Sequence, residues 1–175
     1  MGIEWFYFPR SLEPPELARK VVSVFESVES EIASPKNKLS SNGVLRKVRP
    51  GLESLGFRVE AGKKKGDKIT IPVLLGKNGK AEKSFDADAY YERYRFVLEV
   101  EAGSAVFNYH YLRDLIQASL MVNVNHLAIA VRNVYEAGKD KVPNHDFETV
   151  VKFFETLQAS RRLQLPLEGV LVIGY

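Results

Sequence analysis

The sequence contains no cysteine among its 175 residues. Disulfides and thiolate metal centres are therefore excluded. Histidine is scarce: His110, His126 and His145 are the whole set, and their spacing matches no zinc motif, so a zinc site is not expected. No apolar run approaches the roughly 18 residues that a membrane span needs. No charged N-terminal stretch leads into an apolar run, so no signal peptide is expected. A cytoplasmic protein without a membrane partner is the expectation. Internal repeats and low-complexity segments are also missing.

What is present describes a globular protein. Hydrophobic residues make up 45% and charged residues 27%, which suits one domain over residues 1–175 with its own core. Net charge is only +3, but it is unevenly placed. Between Lys36 and Lys83 there are 13 Lys and Arg against 4 acids, and the remainder has 12 against 18. A basic segment just before an acidic one can hold a phosphate backbone beside metal ions. The bland alternative is a set of solvated basic loops. Arg46, Lys47, Arg49, Lys63, Lys64, Lys65 and Lys68 are the candidates for DNA phosphate contacts, which position a duplex without reading it.

The order of elements predicts an α/β fold, a mixed sheet flanked by helices. Residues 1–35 read as an aromatic arm or edge strand, with Trp5, Phe6, Tyr7 and Phe8, followed by a helix. That helix opens at Pro14-Pro15 and carries the stripe Leu17, Val21, Val24, Val28 and Ile32. The arm packs on the core or on a partner subunit. A second helix starts near Ser41 or Asn42, and Pro50-Gly51 should kink or divide it. Phe57-Arg58-Val59-Glu60 starts a strand. Ile69–Leu75 is a strand with Pro72 at an edge or bulge. Asn78-Gly79 signals a hairpin turn. After Gly103 the period becomes helical, with Asn108 as the expected cap. Leu127–Val131 is a buried strand, parallel and adjacent to the one before the helix. Residues 144–175 read as a polar loop's end, a helix over Phe147–Leu157 and a buried strand, Gly169–Gly174. The polar loop itself spans Gly138–Asn144.

The chemistry is concentrated in Phe85–Gly103. Arg95–Glu101 reads as a strand, so Glu99 and Glu101, two apart, leave the same face. Asp86 and Asp88 show the same spacing one strand earlier. Tyr90–Arg95 can fold back as a short hairpin, with Tyr90, Tyr91 and Tyr94 packing. Up to four carboxylates then converge at a sheet edge. Such crowding requires a bound divalent cation or raised pKa values. Oxygen donors of this kind suit Mg²⁺ or Mn²⁺. The alternative is a solvated hairpin with an acidic outer face.

At these residues the sequence resembles the PD-(D/E)XK nuclease superfamily, whose motif is an acidic residue, then acidic-x-Lys on the next strand. Here the pattern is Asp88, a ten-residue gap, then Glu99-Val100-Glu101. Glu in place of Lys is similar to the BamHI/BglII-type restriction endonuclease branch. The resemblance covers roughly residues 41–135, the catalytic core, and includes the helix that follows the motif strand. It implies a restriction-endonuclease-like fold and Mg²⁺-dependent cleavage of double-stranded DNA, with Mn²⁺ as a substitute. Asp88 and Glu99 become metal ligands, and Glu101 a second-metal ligand or proton acceptor. Asp86 is the fallback for Asp88. Family members often add a residue from the early helix, and Asn42 and Glu53 are the candidates. A homodimer is expected because a cut through both strands needs two sites, with Trp5–Phe8 as the contact. The alternative function is a weak or inactive DNA-binding or assembly module on the same fold.

Overall fold

The computed structural model describes residues 2–62, 64–103, 105–136 and 142–175, apart from the Lys65 side chain. The basic-loop candidates Lys63 and Lys65, and most of the polar loop from Gly138, thus lie outside the described residues.

Six strands form one mixed sheet. Their spatial order is β1 (Glu4–Phe8), β8 (Gly169–Gly174), β7 (His126–Val131), β6 (Phe96–Glu101), β5 (Ala89–Tyr91) and β2 (Arg58–Val59). The central strands β6, β7 and β8 run parallel. β1, β5 and β2 join antiparallel to their neighbours. The parallel strands read as nearly unbroken Val, Ile, Leu and Ala because both of their faces are covered. β3 (Ile69–Leu75) and β4 (Ala81–Ala87) form a separate two-stranded hairpin. Its turn places Asn78 and Gly79 at positive φ, 59° and 71°, as the Asn-Gly signal implied. The register shifts between Pro72 and Leu74, where Pro72 cannot donate to the ladder.

Alternation along the strands divides the core in two. Phe96, Leu98, Val100, Ala128, Ala130, Leu171 and Ile173 face α1 (Glu16–Ser27), α2 (Glu29–Ile32) and α3 (Ser41–Leu55). Val97, Leu127, Ile129, Val131, Val170 and Val172 face α4 (His110–Leu120) and α5 (Asp146–Ser160). Glu99 and Glu101 share the parity of Val97, so both belong to the α4 face.

Several expectations are corrected. The stripe from Leu17 to Ile32 is two helices, broken at Val28. α3 runs through Pro50 as one element. Pro50 is exposed, so water can satisfy the carbonyl that loses its N–H partner. The cap of α3 is Ser40, whose hydroxyl accepts from the Gly43 N–H at 3.2 Å, and not Ser41 or Asn42. Asn108 does not cap α4. Tyr109 occupies that position at φ 55° without a side-chain cap. The aromatic arm is an edge strand of the chain's own sheet. Tyr7 and Phe8 are buried, and Phe6 stacks on Phe147 with ring centroids 6.2 Å apart. Its place as an edge strand packed on the core agrees with the sequence reading.

α1 and α3 meet at Gly51, where an added Cβ would lie 2.6 Å from Val24 Cγ1 and 2.9 Å from its Cγ2. Gly51→Ala is therefore expected to destabilise by about 1–3 kcal/mol through overpacking. This outweighs the roughly 1 kcal/mol that Ala gains over Gly in a helix. Urea unfolding checks it, and a variant as stable as the parent would show that this contact yields freely.

Candidate active site at the open edge of the central strand

The site forms where the sheet splays. β5 pairs with β6 only as far as Ala89 opposite Leu98. Asp88 sits at the bend between β4 and β5, so the chain leaves the sheet there for the β3–β4 hairpin. The N–H of Val100 has lost its strand partner and donates instead to Asp88 Oδ2 at 2.8 Å. The Asp88 backbone N–H faces the Glu99 carboxylate and opposes the rise of its pKa. The Asp88 carbonyl accepts from the Glu60 N–H at 2.7 Å. A side chain thus continues the ladder that the backbone abandons, and Asp88 is held beside Glu99.

Glu101 is 8% exposed. His110 Nδ1 lies 3.1 Å from its Oε2, and Arg113 Nη2 donates to its Oε1 at 2.9 Å. Both partners come from the first turn of α4. Arg113 also donates to Asp114 Oδ1 from Nε and Nη2, at 3.1 and 2.9 Å. Asp114 is 2% exposed, and no donor reaches its Oδ2. A cleft of about 400 Å³ opens over these groups, lined by Ser84, Phe85, Asp86, Glu99, Arg113, Asp114 and Gln117.

The electrostatics follow from burial with too few cations. Burial raises Asp88 from 3.8 to about 6, with the charges of Glu60 and Glu101 adding to it, while the Val100 N–H and Lys68 oppose it. Burial raises Asp114 to about 7, with the charge of Glu101 adding to it and Arg113 opposing it. Glu99 is raised well above the usual carboxylate range, by burial first and then by Asp88 and Asp114. Carboxylates this close cannot all ionise without a cation between them.

The structure brings together Asp88, Glu99 and Glu101, and it adds Asp114 and Glu60, which sequence reasoning missed. Asp114 carries one legible signal: an acid on the apolar side of a helix, beside Leu115 and Ala118. Asp86 is exposed, accepts from the Thr70 hydroxyl at 3.1 Å and lines the cleft from the hairpin. Asn42 and Glu53 are exposed on α3, against the opposite face of the sheet, and neither makes a side-chain hydrogen bond to the acids among the described residues. The α3 residue that reaches β6 is Ser41, whose hydroxyl accepts from the Ala102 N–H at 3.0 Å.

The basic candidates divide. Lys68 holds both Glu60 oxygens, at 3.0 and 2.9 Å. Arg49 donates to the Glu60 carbonyl, and Lys47 pairs with Glu31. Arg46 and Lys64 are exposed.

Hard oxygen donors in excess of cations suit a divalent ion. As the side chains stand, however, no three His, Asp or Glu groups among the described residues are placed to hold one. Glu101 is engaged by His110 and Arg113, and one Asp88 oxygen by the Val100 N–H.

The pH dependence of stability follows. Folded Asp88 and Asp114 hold protons more tightly than their ordinary 3.8. Their contribution is complete below about pH 4 and is lost as pH rises through about 6 to 7. For Asp88 alone the difference is on the order of 3 kcal/mol. The metal-free protein should melt lower at pH 8 than at pH 5, and Asp88→Asn should shrink that difference. Calorimetric melts across the range check this, and an unchanged difference in the variant would show that Asp88 is not desolvated in solution.

No family model matches the sequence, and no curated protein resembles it significantly. Solved structures do. Free BglII aligns over 99% of this chain and 79% of its own, with a TM-score of 0.52 and 11% identity. The restriction endonuclease BglII in complex with a DNA 16-mer aligns over 99% and 76%, with a TM-score of 0.57 and 10% identity. The mixed six-stranded sheet, its flanking helices and these alignments together show that this chain has a BglII-like, restriction-endonuclease-like fold.

Proposed function

We propose that the protein is a Mg²⁺-dependent endonuclease acting on double-stranded DNA, in the manner of a type II restriction enzyme. One observation carries this reading. Asp88, Glu99 and Glu101 gather where the sheet opens beside a cleft, and burial raises the pKa values of Asp88 and Glu99 there. A solvated acidic hairpin would leave its carboxylates in water, with ordinary pKa values.

Asp88 and Glu99 would hold the divalent ion, Mg²⁺ or Mn²⁺. Bound there, such an ion activates water and neutralises charge on the scissile phosphate. Asp88 is oriented through the Val100 N–H, which restricts its rotamers before any ion binds. Glu101 is aimed by His110 and Arg113. As a carboxylate it can accept a proton from the attacking water. Asp86 stands at the cleft's rim, where it would face the phosphate side of a bound duplex. Glu60 holds Lys68 against the cluster and limits repulsion around Asp88.

The similar fold of a restriction endonuclease seen with a DNA 16-mer supports duplex DNA as the partner. The exposed Arg46 and Lys64 are the available phosphate contacts, with Lys63 and Lys65 beside them in sequence. Arg49 and Lys68 instead serve Glu60. Two copies related by a two-fold axis would place one site on each strand.

The alternative is a DNA-binding or assembly module with little or no catalysis. The clasp on Glu101 favours it, because that carboxylate is already answered by the guanidinium of Arg113.

Glu99→Gln keeps the shape and removes a charged ligand. It should abolish Mg²⁺-dependent plasmid cleavage while leaving metal-free DNA binding unchanged or tighter. Cleavage equal to the parent would end the nuclease assignment at this site, and binding without any cleavage by the parent would favour the alternative.

DNA affinity should also fall steeply with salt, since each neutralised phosphate releases counterions with a slope of about −0.9 per contact. Replacing Lys63, Lys64 and Lys65 by Ala should flatten a plot of log affinity against log salt. An unchanged slope would remove that loop from the footprint.

A further inference from the structure

We infer that α4 supplies a cation-exchange device to this site. Asp114 is a further acidic ligand, and Arg113 is the resident counter-ion that holds its place until a divalent ion enters. This rests on the metal-dependent reading above.

Two independent observations carry it. The first is Asp114 itself, 2% exposed, on the wall of the cleft beside Glu99, with Oδ2 reached by no donor among the described residues. A buried carboxylate with a free oxygen is costly unless something positive or a proton answers it. Among the described residues its one salt-bridge partner is Arg113, and that contact uses Oδ1. The second is the position of Arg113. Its guanidinium bridges Glu101 Oε1 and Asp114 Oδ1, at 2.9 Å from each through Nη2. The charge of Glu99 acts on it as well. A divalent ion serving the same three carboxylates would need the same space. Yet the Arg113 side chain is half exposed, against 10% and 1% for Glu101 and Asp114. The carboxylates are fixed by the strand and by the helix's buried side, whereas the cation is on a long stem that faces the cleft and can leave. This also accounts for the absence, among the described residues, of a ready-made metal shell: the shell is closed on an internal cation.

Arg113 and a metal ion therefore compete. A monovalent guanidinium is displaced by a divalent ion that draws Glu99, Glu101 and Asp114 together. No bond is made or broken beyond this exchange of partners.

The test is Mn²⁺ binding to the full chain by isothermal titration, with thermal melts with and without Mn²⁺. Arg113→Met removes the competitor and should bind Mn²⁺ about tenfold more tightly, one charge-assisted pair being lost from the metal-free state. Its metal-free melt should fall and its Mn²⁺-induced rise should grow. Arg113→Lys, which keeps the charge but not the fork, should lie between, and it decides the matter if the Met variant does not fold. Asp114→Asn should weaken Mn²⁺ binding about tenfold or more, a ligand charge being gone. Arg113 variants that bind Mn²⁺ no better than the parent would make Arg113 a brace for Glu101 and overturn the proposal. Asp114→Asn with unchanged affinity would overturn it too. In either case, parent binding that Glu99→Gln abolishes leaves the metal-dependent reading standing. Failure of the parent and of every variant to bind Mn²⁺ would overturn both.

Discussion

The hydrogen bond from the Val100 N–H to Asp88 Oδ2 is the constraint on which the site depends. A strand inside a parallel sheet must have both backbone edges answered. β6 has β7 along its whole length, but β5 along only half of it. Where β5 turns away, a carboxylate substitutes for a neighbouring strand. That exchange opens a gap in the sheet, places Asp88 beside Glu99, and leaves room for the cleft.

Everything around this point adds negative charge faster than positive. Glu60 enters through its backbone bond to Asp88, and Asp114 enters from the covered side of α4. Lys68 and Arg113 are the cations that answer, one on each side. Burial rather than mutual repulsion is the leading cause of every raised carboxylate in the group. The cluster is therefore desolvated as well as crowded, and such sites are where perturbed pKa values gather when a protein has chemistry to perform.

Much of the fold was legible in local patterns. Period-2 alternation in Phe96–Glu101 already assigned Glu99 and Glu101 to one face. The apolar run Leu127–Val131 announced a strand buried on both sides. Asn78-Gly79 marked its own turn, because only a residue tolerant of positive φ can occupy it. The failures were also local in kind. Pro50-Gly51 predicts a kink or a division, but α3 continues through it, and the exposed position lets water replace the lost bond. Ser41 reads as a cap from its sequence, but its hydroxyl is drawn to Ala102, 61 residues along the chain.

What the sequence by itself determined is most of the elements, their order, and the placement of the paired glutamates on a strand. These follow from side-chain spacing and backbone preference, which act over a few residues. Only the tertiary structure decided which acids meet. Asp88 joins Glu99 because β4 leaves the sheet at that residue. Asp114 and Arg113 join Glu101 because the crossover from β6 to β7 lays α4 across the same face. Asn42 and Glu53 stay apart because α3 packs on the other face. Likewise Lys68 and Arg49, read as part of a basic surface, turned inward to Glu60. Charge counts along a chain record how many ions there are. Only packing determines which of them lose their water and must find one another.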